Sequence, residues 1–531
     1  MMIYMSSSAP EEKPRIRLRY SSLINFSARV YSAFTGMLFI MLITRNLAPT
    51  DVGLWRLINI LLVYFIIPAT TFNRWIVRYR ARGFKNSSLT GLMNAILLSS
   101  VMVPIFLLVS VTTITELRDN ISLILLAAIL LVLLYILQAF LAMARALAPQ
   151  SLGIGMFIFE TFKVIIALVY AFSHMINLIT AMISMIMAYV LQLLYILSVV
   201  YHDVRGSSFS LDLLKRWYKL SWLQAYDLLA KRISSLDNFI IYTMCQSPGL
   251  ALAYLQVLLS ASGPVFYTVA ITSPFYSKAL WSGVKDEIRR SLEVTLRLIF
   301  MMSLPSLFGL IAISPLILAL FGKEYIGLQS LLALAVMAPL VNILSLAFDS
   351  CILSIERADV ETTDPRVLVR SYLFKVSTIH LLQGLVYVVI VFLFAFIRRP
   401  GPLEIVLALF IARVIIFITA MLVRLRIAAR LIGGISLSTL LRNMYTYLIA
   451  SLIMLLVVRT SFMMYNIEIS ALESMRISEV LLLLAPLVMI GIVTYSSIIY
   501  LIDREARRIG DYIIWKVLLP TMAHALCRIR R

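Results

Sequence analysis

The fold the sequence predicts is an all-α polytopic membrane protein of about fourteen transmembrane helices. Three observations predict it: the composition, the apolar segments, and the placement of Lys and Arg. Of 531 residues, 61% are hydrophobic and 14% charged, with a mean hydropathy of +0.96. Soluble domains carry about 45–50% apolar and about 25% charged residues, so the several soluble domains that the length would permit are excluded.

A hydrocarbon core about 30 Å thick needs roughly 20 apolar residues per helix. Segments of that kind lie at 24–44, 53–72, 89–111, 121–143, 153–172, 176–200, 221–244, 250–272, 296–318, 328–350, 372–396, 402–423, 444–464 and 479–501. The first follows four basic residues and has no small-residue cleavage site, so it reads as a retained helix and not a signal peptide. The seventh is rich in charge, and the fifth and sixth are split at Ser173–His174. Pro68, Pro264 and Pro339 fall inside apolar segments and are expected bending points.

With the N-terminus inside, the inner connections and the tail hold about 32 Lys and Arg residues and the outer loops about eight, which satisfies the positive-inside rule. Both termini are expected in the cytoplasm and the chain in the cytoplasmic membrane. The net charge of +21 is thereby spread over short loops, unlike the clustered basic face of a nucleic-acid binder, and no nucleic-acid partner is expected. The tail 511–531 mixes apolar and basic residues, as a segment lying on the inner surface would. Cys245, Cys351, Cys527 and the four histidines form no disulfide or metal spacing. No cofactor is expected.

The chain contains an internal echo. Ser22, Asn25, Arg29 and Ser32 step by 3, 4 and 3 residues along one helical face. Gln224, Asp227, Lys231 and Ser234 repeat those steps 202 positions later. Each set is followed by a proline (Pro49, Pro248) and, six residues on, by an aromatic (Trp55, Tyr254). The expected organisation is a segment 1–23, a six-helix bundle 24–200, a linker 201–220, a second bundle 221–423, helices 13 and 14 over 444–501, and a basic tail 502–531. Repeats of this kind place a substrate site between the halves.

Residues 43–62 carry the pattern R-x-L-x-P-x-x-x-G-L. Residues 304–359 carry P-x-x-x-G-L followed by L-F-G-x-x-Y. Together with 236–281, these segments resemble the polysaccharide-export flippases of the multidrug/oligosaccharidyl-lipid/polysaccharide exporter superfamily. The resemblance covers most of residues 20–500. Ala48 stands where that family usually has glycine, and Asp51–Val52 where it often has an acidic-aromatic pair. The resemblance implies transport of a glycan linked to a polyprenyl phosphate or diphosphate, by alternating access across the bilayer. A coupling ion, H+ or Na+, is the further partner. The alternative is a cation-coupled exporter of drugs or metabolites, which the resemblance implies would have twelve helices. An enzyme is not expected: a membrane glycosyltransferase needs a large outer loop and an acidic metal motif, and the sequence has neither.

A charge in the middle of a spanning helix costs about 2.5–3.5 kcal/mol on insertion scales, so it normally faces a protein interior. Arg29 either reaches the inner headgroups or binds a substrate phosphate through its planar fork of donors. The resemblance implies the latter, since first-helix arginines of that family face a cationic cavity; Lys231, Arg232, Arg56 and Arg413 are the further candidates for it. Asn25, Asp227, Asp237, Glu160 and Lys163 are the coupling or pairing candidates. Asp227 and Lys231 are spaced i,i+4, and Glu160 and Lys163 i,i+3, so each pair can neutralise itself. The Asp227–Lys231 pair either only lets its helix insert or opens when substrate enters. Arg56 either lines a cavity mouth or reaches headgroups. Asp237 is expected at the outer interface, Glu293 and Arg297 as an interfacial pair, Asp349 without a partner in sequence, and His380 as a satisfied helix histidine.

Overall fold

A computed structural model describes residues 18–503 and 507, apart from 82, 115–117, 119, 273–274, 277, 280–283, 357–363, 435–436 and 466–468. The tail 511–531, expected on the membrane surface, lies outside the described residues. Regular structure among the described residues is wholly helical. A chain in lipid must satisfy its backbone amides internally, and an α-helix does so within each segment.

The helices run α1 (Leu18–Asn46), α2 (Pro49–Phe65), α3 (Ile67–Ala81), α4 (Asn86–Thr113), α5 (Ile121–Leu147), α6 (Gln150–Phe172), α7 (Leu178–Arg205), α8 (Leu211–Leu220) and α9 (Trp222–Arg232). They continue with α10 (Asp237–Met244), α11 (Pro248–Ala261), α12 (Gly263–Phe266), α13 (Lys285–Ala312), α14 (Ser314–Ala319) and α15 (Gln329–Ile355). Last come α16 (Pro365–Arg370), α17 (Tyr372–Arg398), α18 (Pro402–Leu431), α19 (Leu437–Met464), α20 (Ile469–Ser474) and α21 (Ile477–Ile502).

Among the described residues, 11 helices are individually long and apolar enough to cross a membrane, or up to 13 spans with two bent pairs. The bends are 46° between α2 and α3 and 53° after α11. Pro68 and Pro264 sit in the first turn of the helix after each bend, where the missing proline amide breaks the ladder. Pro339, by contrast, lies within the unbroken α15, where neighbouring helices tolerate it. The expected seventh span is not one apolar helix: α9, a 3-10 turn at Ile233–Leu236 and α10 succeed one another. Four charged side chains between Asp227 and Asp237 explain why this segment departs from the apolar pattern.

Contacts divide the chain into unit 1, Met1–Leu47 with Leu54–Arg232, and unit 2, Ala48–Gly53 with Ile233–Arg531. The border falls at Arg232–Ile233, so α8 and α9 go with unit 1. Helices α19 and α21 go with unit 2. The two units share one internal packing scheme. In unit 1, α1 packs on α6, α6 on α7, α7 on α5, and α5 on α4 and α3. In unit 2, the turn and α10 pack on α17, α17 on α18, α18 on α15, and α15 on α13 and α12. The two units thus repeat one set of helix neighbours, but Gln224, Asp227 and Lys231 of the sequence echo lie on α9 in unit 1, and the counterpart of α1 in unit 2 is the turn with α10. A glycine marks the equivalent seam in each unit. A Cβ on Gly153 would lie 2.8 Å from Ile24 Cγ2, and one on Gly384 would lie 3.1 Å from Ile233 Cβ.

Helices α19 and α21 have no counterpart in unit 1. They pack on each other and against α13, around a cluster of Phe300, Leu304, Tyr447, Ala450 and Ile499. Large apolar side chains cover the outside of both units, including Phe172, Phe396, Leu482 and Leu501. A soluble surface would not carry so much apolar area, whereas lipid accepts it. Inside, serines such as Ser184, Ser303 and Ser345 donate to the carbonyl four residues back, which satisfies hydroxyls that lipid could not.

Within unit 2 the first turn of α2 crosses that of α11 at two glycines. A Cβ on Gly53 would lie 2.1 Å from the Gly249 carbonyl oxygen, backbone against backbone. In unit 1 a Cβ on Gly91 would meet only the end of the Ile76 side chain, at 2.6 Å. Gly53→Ala is therefore expected to destabilise by about 3 kcal/mol, the upper part of the overpacking range, and Gly91→Ala by about 1 kcal/mol or less. Unfolding midpoints of the two variants in detergent check this; equal losses would contradict the rigid crossing.

Candidate functional site

The expected site residues divide into those neutralised by the protein and those left cationic. In unit 1, Glu160 and Lys163 are one helical turn apart on α6 and both buried. Lys163 Nζ donates to Glu160 Oε2 at 2.7 Å. Ser32 and Thr35 of α1 donate to the same carboxylate, at 2.7 and 2.8 Å. The ammonium also sits 4.8 Å from the Phe159 ring centre and 5.3 Å from that of Phe39. A buried pair with every partner satisfied ties α1 to α6 and holds its charge closed. Asn25 adds to that seam, its amide donating to the Pro149 carbonyl at 3.0 Å.

Asp227 and Lys231 form the local pair that their spacing predicts, at 2.7 Å, with the lysine side chain 44% exposed. Arg232 is exposed, and its carbonyl accepts from Tyr64 Oη at 2.7 Å. Arg56 is only 8% exposed, enclosed by protein and not extended towards headgroups. Arg29 differs from all of these. It is exposed on α1 and lies close enough to the exposed Arg145 of α5 for their charges to repel. Neither guanidinium has a carboxylate partner among the described residues.

In unit 2, Asp237 is not interfacial. It is completely buried, accepts from Arg413 Nη2 at 2.6 Å and from Tyr387 Oη at 2.7 Å, and takes the Asn238 amide on its other oxygen at 2.7 Å. The physical reason is long-range neutralisation: Arg413, within α18, supplies the counter-charge that lets a carboxylate sit inside. Arg413 itself is thereby engaged, with its side chain 15% exposed. A coupling cation at Asp237 would have to displace a guanidinium.

Two further clusters were invisible as clusters in the sequence. Arg424 is fully buried. It donates through Nε to Asp349 Oδ1 at 3.0 Å, through Nη1 to Gln383 at 2.8 Å, and through Nη2 to His380 Nδ1 at 3.0 Å. That bond makes Nδ1 an acceptor, so the neutral ring carries its proton on Nε2. Nε2 comes within 3.0 Å of Asp349 Oδ2, off the line of a hydrogen bond. Asp349 thus has partners on α17 and α18. Arg297, expected beside Glu293, instead reaches Asp503 and donates to Tyr447 Oη at 2.8 Å. This joins α13 to the end of α21 and to α19.

No protein-family model and no curated relative matches the sequence. Solved structures do match in fold. The lipid II flippase MurJ in an inward closed conformation superposes with a TM-score of 0.58 at 14% identity, over 91% of this chain and 99% of that one. An inward-facing multidrug resistance MATE family transporter of the MOP superfamily gives 0.56 at 14% identity, over 77% of this chain and 98% of that one. An outward-facing one gives 0.53 at 13% identity, over 78% and 95%. The chain has the polytopic helical fold of these proteins.

Proposed function

We propose that the chain is a membrane transporter of the cytoplasmic membrane, with both termini inside, that translocates a saccharide linked to a polyprenyl phosphate or diphosphate. The Arg29–Arg145 pair carries this reading. The embedded bases Lys163, Arg297, Arg413 and Arg424 are each matched to a carboxylate, whereas these two repel one another. Two adjacent guanidiniums fit the oxygens of a phosphodiester or diphosphate, each offering a planar fork of donors. Arg232, exposed at the end of α9, adds a further positive charge, while Lys231 is held by Asp227. Translocation then proceeds by alternating access, the two units rocking as the headgroup crosses.

Helices α19 and α21 support a lipid-linked cargo over a small soluble one. Likeness to the lipid II flippase extends over 91% of the chain against 77% for the MATE transporter, a margin comparable in length to this last pair. The competing reading, a cation-coupled exporter of small molecules, draws on the likeness to MATE transporters. It requires a carboxylate open to a cation, and Glu160, Asp237 and Asp349 are all engaged by bases.

The test is a flipping assay in proteoliposomes with a fluorescent polyprenyl-diphosphate sugar. Arg29→Ala and Arg145→Ala are each expected to slow flipping roughly 10- to 100-fold, the equivalent of one charge-assisted hydrogen bond, with membrane insertion unchanged. Flipping at the parental rate in both variants would refute the phosphate contact. Transport of cationic drugs but not of the lipid would favour the exporter.

A further inference from the structure

We propose that unit 2 carries a separate anion site at Arg459, which takes the phosphate of a membrane lipid and is independent of the transported cargo. A cavity of about 560 Å³ opens where the end of α13, the start of α15 and the last turns of α19 meet, lined by Ala312, Ser314, Gln329, Ser330, Ala333 and Arg459. That volume is within the usual range for a small-molecule site, roughly 300–1,000 Å³.

Charge accounts for the choice of ligand. Arg459 is half-buried. Its partners among the described residues are neutral: the Ala312 carbonyl, which accepts from Nη1 at 3.3 Å, and the Phe462 ring, 5.7 Å away. The buried guanidiniums of Arg413 and Arg424 both meet carboxylates. A half-buried guanidinium without a counter-charge favours an anion, and the hydroxyls of Ser314 and Ser330 and the Gln329 amide can complete a phosphate's hydrogen bonds.

Position accounts for the source of that anion. All three lining segments lie at the bundle end expected outside, where Arg459 is an exception to the positive-inside distribution. Leu456 and Met463 on the same helix are 62% and 59% exposed, so the cavity adjoins a lipid-facing surface along which acyl chains can lie. A phospholipid headgroup entering from the bilayer satisfies both features, and a free phosphate only the first.

The full chain, purified in detergent, is titrated with phosphatidylglycerol, with diacylglycerol of the same chains and with inorganic phosphate, and binding is read by native mass spectrometry and thermal midpoint. Phosphatidylglycerol is expected to bind and stabilise, and the other two are not. Arg459→Gln is expected to weaken phosphatidylglycerol binding about tenfold or more. Arg29→Ala, which removes the proposed transport contact, leaves that binding intact. Unchanged affinity in Arg459→Gln, or equal binding of diacylglycerol, overturns the site; protection by inorganic phosphate alone overturns the lipid assignment. Should Arg459→Gln fail to fold, Ala333→Phe keeps the guanidinium and fills the cavity. Retained lipid binding in that variant also overturns the proposal.

Discussion

Replacing Arg424 with alanine is expected to destabilise the protein by about 3–5 kcal/mol, enough to remove most folded chain from the membrane. Arg424 has no exposed surface and binds one residue on α15 and two on α17 through three separate nitrogens. Its loss strands Asp349 in the protein with only His380 at hand. The penalty comes from the abandoned carboxylate, more than from the absence of the pair itself. The double variant Arg424→Leu with Asp349→Leu should accordingly recover most of the stability. Unfolding midpoints in detergent, with expression level as a second readout, decide the matter. A double variant as damaged as the single one would mean that packing volume dominates, not charge.

Arg413→Ala is the second large effect, of the same order of about 3–5 kcal/mol. Asp237 is left facing Tyr387 and Asn238, two neutral donors. Asp237→Asn in the same chain removes the orphaned charge and should restore stability to within about 1–2 kcal/mol of the parent, the hydrogen bonds that remain unmatched making up the difference. The same measurement bears on ion coupling. If Asp237 exchanged its guanidinium for a cation during transport, the double variant Arg413→Ala with Asp237→Asn, which strands neither charge, would fold and not flip. Flipping that persists in that double variant assigns the bridge a structural role. Tyr387→Phe, which removes one neutral donor, is a milder comparison on the same scale.

The spans were legible in the sequence because lipid imposes a one-dimensional rule: about twenty apolar residues, then loops whose Lys and Arg mark the inner side. The local pairs were legible for the same reason. Glu160–Lys163 and Asp227–Lys231 follow from helical spacing alone. The bridges Asp237–Arg413, Asp349–Arg424 and Arg297–Asp503 were not, since which of several embedded charges meet depends on which helices are neighbours. Asp237 reads as interfacial from its place near the outer end of its segment, whereas its partner comes from 176 residues away. Pro339, unlike Pro68 and Pro264, breaks no helix, since α15 runs through it. The repulsion between Arg29 on α1 and Arg145 on α5 likewise depends on the fold and not on spacing along the chain.

The separation of bridge partners along the chain also orders the events of biosynthesis. In unit 1 the most deeply buried acid and base are 3 residues apart, so they enter the bilayer together as a neutral turn, and the Arg80–Asp203 bridge spans 123 residues of the same unit. In unit 2 the partners are 75, 176 and 206 residues apart. At about 5–20 residues per second, the aspartate at 237 waits roughly 9–35 s for its arginine to leave the ribosome. Through that interval a nascent helix must be sheltered by the insertion machinery or sit shallowly near the headgroups. The amino-terminal bundle can therefore mature while translation continues, whereas the carboxy-terminal one locks only when the final helix arrives.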